Sequence, residues 1–355
     1  MAVDLSAIVI TRNEEAHIGA SLEGCLRAIR RAQDEGAVRA AEVVLSDSAS
    51  TDRTVEIARR YPITIVQLLP EWPLSAAAGR HVGLRHARGE LVLFLDGDYV
   101  IAEDWLSEAV RVLRQQPEIA AVCGQDVEEM TGDSVLLRYA KGLLDASSGE
   151  PEAIPVGLYR RTALEAAGGI QPFLRGAEDR DLAYRIRAFG YRLHRLPRTM
   201  GVHRWADDGA LDYMTYFRSV LLWSVGDGQL FRSRRKMRIV ASDMRRRYAN
   251  VRYLRNYLVG IVLSAIVLAN LVAWLVVPLL LPIAFLDVGL LITADAARRR
   301  RGRSWKEAAF GLHVVPYSLV RHVGFAIGFL RPTREPGGYP RGERVLQNAE
   351  DVSAP

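Results

Sequence analysis

The stretch Leu91-Val92-Leu93-Phe94-Leu95-Asp96-Gly97-Asp98 constrains this chain more than any other. Five consecutive apolar residues after the turn Arg88-Gly89-Glu90 read as a strand buried on both faces, the kind found inside a parallel sheet. Two carboxylates one residue apart close it. Gly97 lets the backbone bend between them, so that Asp96 and Asp98 point into one space, where a hard divalent cation can join them to a phosphate. Aspartate and glycine are also ordinary turn residues. The flanking segments must therefore decide the matter.

Those segments alternate. Ser6-Ala7-Ile8-Val9-Ile10 is an apolar strand that stops at Thr11-Arg12-Asn13-Glu14-Glu15, after which Ile18, Leu22, Cys25, Leu26 and Ile29 recur at helical spacing. A second unit runs from Glu42–Leu45 through Ser46-Asp47-Ser48-Ala49-Ser50-Thr51-Asp52 into a helix, which either Ser50 or Thr51 could cap. Asp47 lies too early for the cap and is placed to meet a ligand at a strand end. Ile63–Val66 is a third strand, and the small residues of Ser75–Ala87 form a helix leading into the acid-tipped strand. This order predicts an α/β fold with an open, Rossmann-like, largely parallel sheet, whose crevice Asp47, Asp96 and Asp98 face. Further on, Pro155–Arg161 is a strand, Gly168-Gly169-Ile170 a tight turn, and Leu182, Ile186 and Phe189 mark a helix that begins near Glu178-Asp179. That pair of acids could simply complement the helix dipole.

The back half is different. Apolar residues make up 49% of the 355-residue chain and concentrate between Tyr257 and Ala294. As one helix that run would be about 57 Å long, nearly twice the ~30 Å hydrocarbon core of a bilayer. It is expected to fold back near Pro278 and Pro282 as a transmembrane or re-entrant hairpin over residues 257–297. Arg245-Arg246-Arg247 and Arg298–Arg301 flank it, which puts both ends on the cytoplasmic side. Residues 211–256 read as basic interfacial helices, 304–331 as an amphipathic or membrane helix, and 332–355, rich in Pro, Gly and charge, as a mobile tail. The net charge of +6 sits mainly beside the apolar run. Membrane lipids, not nucleic acid, are thus the expected charged partners. Cys25 and Cys123, the only two cysteines, lack metal-ligand spacing and read as buried small hydrophobes. The N-terminus lacks a signal-peptide pattern, so residues 1–210 are expected in the cytoplasm at the inner face of the cell membrane.

Four ordered blocks, ITRNEE, VVLSDSASTDRTVEIA, GRHVGLRHARGELVLFLDGD and GAEDRDLAYRIRAFGYRL, resemble the family 2 glycosyltransferases with the GT-A fold over roughly residues 5 to 205. The resemblance implies a sugar-nucleotide site in the 1–210 domain, with Mn²⁺ or Mg²⁺ as cofactor. The implied donor is a UDP-sugar, with a GDP-sugar as the alternative. Thr11 and Glu14 would lie beside the nucleotide, Asp47 or Ser48 would contact its base or ribose, and Arg80 would sit near the diphosphate. Asp96 and Asp98 match the metal-binding D-x-D, Asp98 being the direct ligand, and His203 matches a histidine that can complete the metal shell, the alternative being a structural hydrogen-bonder. Asp179, supported by Glu178, matches the catalytic base that takes the acceptor's proton in an inverting displacement. Chain-elongating members carry Q-x-x-R-W. Here Gly201 stands in the glutamine place before Arg204-Trp205, which favours addition of a single sugar.

The expected function is therefore sugar transfer from a nucleotide-sugar to a membrane-associated acceptor, such as a lipid-linked saccharide. A polyprenyl phosphate is the alternative acceptor, and because it is already ionised it would make Asp179 dispensable. Metal-dependent nucleotidyltransferases share the sheet and the paired acids but carry a Gly-rich loop after the first strand, which Thr11–Glu15 does not offer. A non-catalytic membrane scaffold would bind no sugar nucleotide.

Overall fold

The computed structural model describes residues 3–130, 150–205, 213–234, 236–248 and 311–351. The chain forms two compact units, one made of Met1–Asp212 together with Thr333–Pro355, the other of Tyr213–Pro332.

The first unit is built on a nine-stranded sheet in the order β5-β8-β6-β7-β4-β1-β2-β3-β9. At its centre, β1 (Leu5–Thr11) lies parallel to β2 (Ala41–Asp47) and to β4 (Leu91–Asp96), and β3 (Thr64–Gln67) is parallel to β2. All seven residues of β1 are buried, as a strand covered on both faces requires. The other half of the sheet mixes directions. β7 (Gly157–Arg160) is antiparallel to β4 and to β6 (Ile119–Met130), β8 (Arg192–Trp205) is parallel to β6, and β5 (Tyr99–Ile101) is antiparallel to β8. The parallel character expected from alternating strands and helices thus holds for the half built from residues 5–96. Beyond Asp96 the strands are joined by turns and short helices as well as crossovers, and antiparallel pairing follows.

Helices cover the sheet. On α1 (Ile18–Asp34) the spaced residues Ile18, Leu22, Cys25 and Ile29 are buried, and Cys123 is buried on β6. The short α2 (Thr54–Ala58) is not capped by Ser50 or Thr51. Asp52 does that work, accepting from Thr54 N at 3.0 Å and from the Thr54 hydroxyl at 2.5 Å. Ser75 caps α3 (Ala76–His86), accepting from Ala78 N, and the helix lays Ala77, Ala78, Gly79 and Gly83 flush against the sheet. Next come α4 (Trp105–Gln115), which buries Trp105, α5 (Arg161–Ala166) and α6 (Glu178–Ala188). Gly168 and Gly169 turn the chain between the last two at φ +79° and +71°.

One expectation is corrected at the end of the chain. Within the stretch 332–355 expected to be a mobile tail, Arg344–Gln347 forms β9 antiparallel to β3 and Tyr339 is buried. Composition suggested mobility, but partners from distant parts of the sequence supply the order.

In the second unit, α7 (Tyr213–Arg234) and α8 (Arg238–Tyr248) fall within the stretch expected to be helical, and α9 (Gly311–Leu330) within 304–331. The backbones of α7 and α9 touch: a Cβ on Gly328 would stand 1.9 Å from Val225 O, and one on Gly228 2.0 Å from Phe325 O. Among the described residues no helix is long and apolar enough to cross a membrane. The expected hairpin at 257–297 lies outside the described residues.

Candidate active site

The carboxyl ends of β1 and β4 and the start of β5 meet at one place. Asp96 ends β4, Asp98 follows after Gly97, and β5 pairs with β8 so that Tyr99 lies opposite His203. Arg204 N donates to Asp98 O at 2.8 Å, pinning the two elements. As a result His203 Nε2 stands 3.0 Å from Asp98 Oδ2. One ligand atom each from Asp96, Asp98 and His203 lies within 4.8 Å of the others. Two carboxylates and an imidazole at that spacing suit a divalent cation such as Mn²⁺, whereas Mg²⁺ prefers an all-oxygen set.

Gly97 has a different role from the one expected. Its φ is not in the left-handed region, and what demands glycine is space: a Cβ would lie 2.8 Å from Thr11 Oγ1 and 3.2 Å from Glu14 Cγ. Thr11 and Glu14 therefore border the D-G-D turn directly. The Thr11 hydroxyl is buried without a hydrogen-bond partner, a group poised to meet a ligand. Burial, with the Asp98 charge adding to it, pushes the Glu14 carboxyl up to about 7.

Gly201 is the second close approach. A Cβ there would meet Val100 O at 2.4 Å and the Tyr99 ring at 2.6 Å. The strand pair that aligns His203 with Asp98 thus leaves no room for the glutamine of the chain-elongating pattern. Sequence reasoning passed over Tyr99, whose ring sits 5.9 Å from that of His203 and whose hydroxyl donates to Asp126 at 2.5 Å. Its position immediately after the second aspartate was the available signal.

Arg80 ties the cluster of Asp96, Asp98 and His203 to the E-D pair. Projecting from α3, it donates through Nη2 to Asp96 Oδ1 at 2.7 Å and through Nη1 to Glu178 Oε1 at 2.8 Å, with its side chain 5% exposed. Burial raises the Asp96 carboxyl above its ordinary value against the pull of Arg80, and it raises Glu178 in the same way, with Asp179 adding to the effect. Asp179, half-buried on the first turn of α6, lines a recess with Arg80, Tyr159, Ile154 and Leu182. The residue before the pair, Ala177, is held at φ +61°, a strained conformation for a residue with a Cβ.

Asp47 departs from the expectation that it faces the crevice. It has no exposed surface, and its carboxylate accepts from Ser50 N at 3.0 Å, from Gln67 Nε2 at 2.8 Å and from the Ser50 hydroxyl. It organises the loop after β2 from below. Ser48 is also buried and donates its N–H to Thr11 O at 2.8 Å. The loops after β1 and β2 are laced together: Asn13 N donates to Ser50 Oγ, Thr51 N to Asn13 Oδ1 and Glu14 N to Thr54 Oγ1. The polar residues of ITRNEE and SDSASTD thus hold the rim of the site in shape.

An open α/β sheet with a carboxylate–imidazole cluster at the carboxyl ends of its parallel strands defines the GT-A-like class. The mannosyltransferase PcManGT from Pyrobaculum calidifontis, solved in complex with GDP-Man and Mn²⁺, shares this fold with a TM-score of 0.54 at 22% identity, over 93% of this chain and 88% of that one. Residues 6–162 match the family described as Glycosyl transferase family 2. An uncharacterized glycosyltransferase of Haemophilus influenzae is 26% identical over 192 residues, 51% of this chain and 61% of that protein. The O-antigen chain rhamnosyltransferase WbaN of Salmonella anatum is 25% identical over 167 residues, 43% and 53% of the two chains. The chain thus spans less than two thirds of the length of either of these relatives.

Proposed function

We propose that the chain transfers one sugar, with inversion, from a nucleotide-sugar donor to a hydroxyl of a membrane-associated acceptor such as a lipid-linked saccharide. The observation that carries this reading is the convergence of Asp96, Asp98 and His203 beside the buried Arg80–Glu178 pair. Asp98 and His203 would hold the cation directly, with Asp96 steadied by Arg80 beside them. Mn²⁺ or Mg²⁺ bound there supplies the positive charge that a departing nucleotide diphosphate needs. Thr11 and Glu14 flank the nucleotide. Asp179 takes the proton from the acceptor hydroxyl as its oxygen bonds to the anomeric carbon and the bond to the diphosphate breaks. PcManGT is described in complex with GDP-Man and WbaN as a rhamnosyltransferase, which supports a nucleotide-sugar here without choosing between UDP and GDP.

The membrane part of the reading rests on the apolar run 257–294 between two arginine clusters, which would seat the catalytic unit on the cytoplasmic face of the cell membrane. The test is turnover of a panel of UDP- and GDP-sugars by the full chain in detergent or vesicles, with Mn²⁺, Mg²⁺ or chelator. Metal-dependent consumption of one donor supports the proposal. Failure to bind any sugar nucleotide, or binding indifferent to metal, overturns it.

A further inference from the structure

The segment that follows α9 returns to the first unit and grips the two elements whose side chains meet through Arg80. Only Arg331, Pro332 and Thr333 separate the end of α9 from Arg334, whose carbonyl accepts from Gln171 Nε2 at 3.1 Å. Tyr339 then inserts its ring, 3% exposed, among Trp72, His81 and Phe173 at centroid distances of 5.7, 5.6 and 5.5 Å. Its hydroxyl donates to Pro73 O at 2.8 Å. Further along, Arg85 Nη1 donates to Pro340 O at 3.0 Å, and Glu343 pairs with both Arg85 and His86, the latter at 2.7 Å. The segment ends as β9 on the edge of the sheet.

The parts held are not arbitrary. His81, Arg85 and His86 lie on α3, the helix that carries Arg80. Gln171 and Phe173 lie on the loop that runs into Glu178-Asp179, and His81 Nδ1 lies 3.2 Å from Ile170 O of the same loop. Ser75, the cap of α3, donates to Pro172 O, and Arg175 donates to Leu74 O. Helix and loop are thus joined above by these bonds and below by the Arg80–Glu178 pair, with the Tyr339 ring wedged against both.

We propose that residues 334–347 are a strap and Tyr339 a positioning residue: its seating fixes the 170–177 loop against α3, and so sets where Asp179 stands relative to the metal cluster. This inference rests on the reading of Asp179 as the base, whereas the seating of the loop can be measured without it.

The experiment compares the full chain with Tyr339→Ala, Tyr339→Phe and Gln171→Ala. It measures kcat and donor KM, together with hydrogen exchange of peptides covering 170–177 and, as reference, 5–11 in β1. Misplacing a catalytic group without touching the donor lowers kcat by about ten- to hundredfold and leaves KM within about threefold. That outcome is expected for Tyr339→Ala, with faster exchange at 170–177 and unchanged exchange at 5–11. Tyr339→Phe, which keeps the ring and loses only one hydrogen bond, should stay within about threefold of wild type. Unchanged kcat and exchange in Tyr339→Ala overturn the proposal, as does an exchange increase shared equally by β1, which would make the strap a general stabiliser. Should Tyr339→Ala fail to fold, Gln171→Ala decides, by the presence or absence of faster exchange confined to 170–177. If the wild-type chain turns over no donor, the exchange data still decide the strap, and the glycosyltransferase reading falls separately.

Discussion

Arg80 and Glu178 form a buried ion pair, Nη1 to Oε1 at 2.8 Å, between α3 and α6, the helix that presents Asp179. A buried pair is strongly destabilising to break from one side, because the remaining charge is left without compensation. Arg80→Leu should lower the unfolding free energy by about 3–5 kcal/mol, read from urea denaturation. Arg80→Lys should recover only part of it, since one ammonium cannot reproduce the fork that spans Asp96 and Glu178. A leucine variant as stable as wild type would remove the crosspiece from the account.

The cluster of Asp96, Asp98 and His203 makes a prediction about metals. Asp98→Asn should weaken Mn²⁺ binding, measured by calorimetry on the full chain, by at least about tenfold. His203→Ala should weaken Mn²⁺ more than Mg²⁺, because only the softer ion gains much from an imidazole. Equal loss for both ions would mean that His203 orients Asp98 without touching the metal.

Asp179→Asn keeps the shape of the side chain and removes its basicity. With a hydroxyl acceptor, kcat should fall by about 10²- to 10⁴-fold with donor KM nearly unchanged. Retained activity would point to an acceptor that arrives ionised, a phosphate, and would retire the base.

Gly201→Ala places a methyl group where Val100 O and the Tyr99 ring already lie. The variant should lose about 1–3 kcal/mol of stability by denaturant titration and bind Mn²⁺ more weakly, since β5 cannot close on β8 without strain. Wild-type metal affinity would separate the strand pairing from the placement of His203.

Two acids respond to pH with opposite signs. Burial pushes Glu343 up, but the hydrogen bonds from Arg85, its own backbone and His86 outweigh it and hold the carboxyl at about 2. Its contribution to stability is therefore complete above the ordinary value of 4.5 and is lost as pH falls from there towards about 2. Glu14, raised by burial to about 7, binds more proton when folded, so its effect on stability declines as pH rises from 4.5 to about 7. Urea midpoints across acidic pH should show a shallower acid loss in Glu343→Gln than in wild type. Coincident curves would mean that the strap is not held by this carboxylate.

The parts of the fold legible in the sequence are those set by local pattern. The apolar run ending at Asp96, the spacing of Ile18, Leu22, Cys25 and Ile29, and the start of α6 at Glu178 are each readable within a dozen residues. What failed depended on distant partners. Asp47 was expected to face the crevice, but Gln67, twenty residues on, joins the nearby Ser50 in holding its carboxylate. Gly97 looked like a hinge, but its neighbour Thr11 comes from another strand. The order of residues 333–351 was hidden because β9 is short and partly exposed, and its hold comes from Tyr339 and Glu343 contacting α3, more than 250 positions earlier.

Because β9 comes from the far end of the chain, the helical unit is an insertion within the catalytic unit and not an appendage to it. A protein cut off at residue 212 would bare one side of Thr64–Gln67, leaving a raw margin of unpaired amides and carbonyls on which other copies can zip up. A shortened chain that keeps Arg344–Gln347 paired to β3 would spare that margin, so the way the chain is shortened decides whether the product stays dispersed.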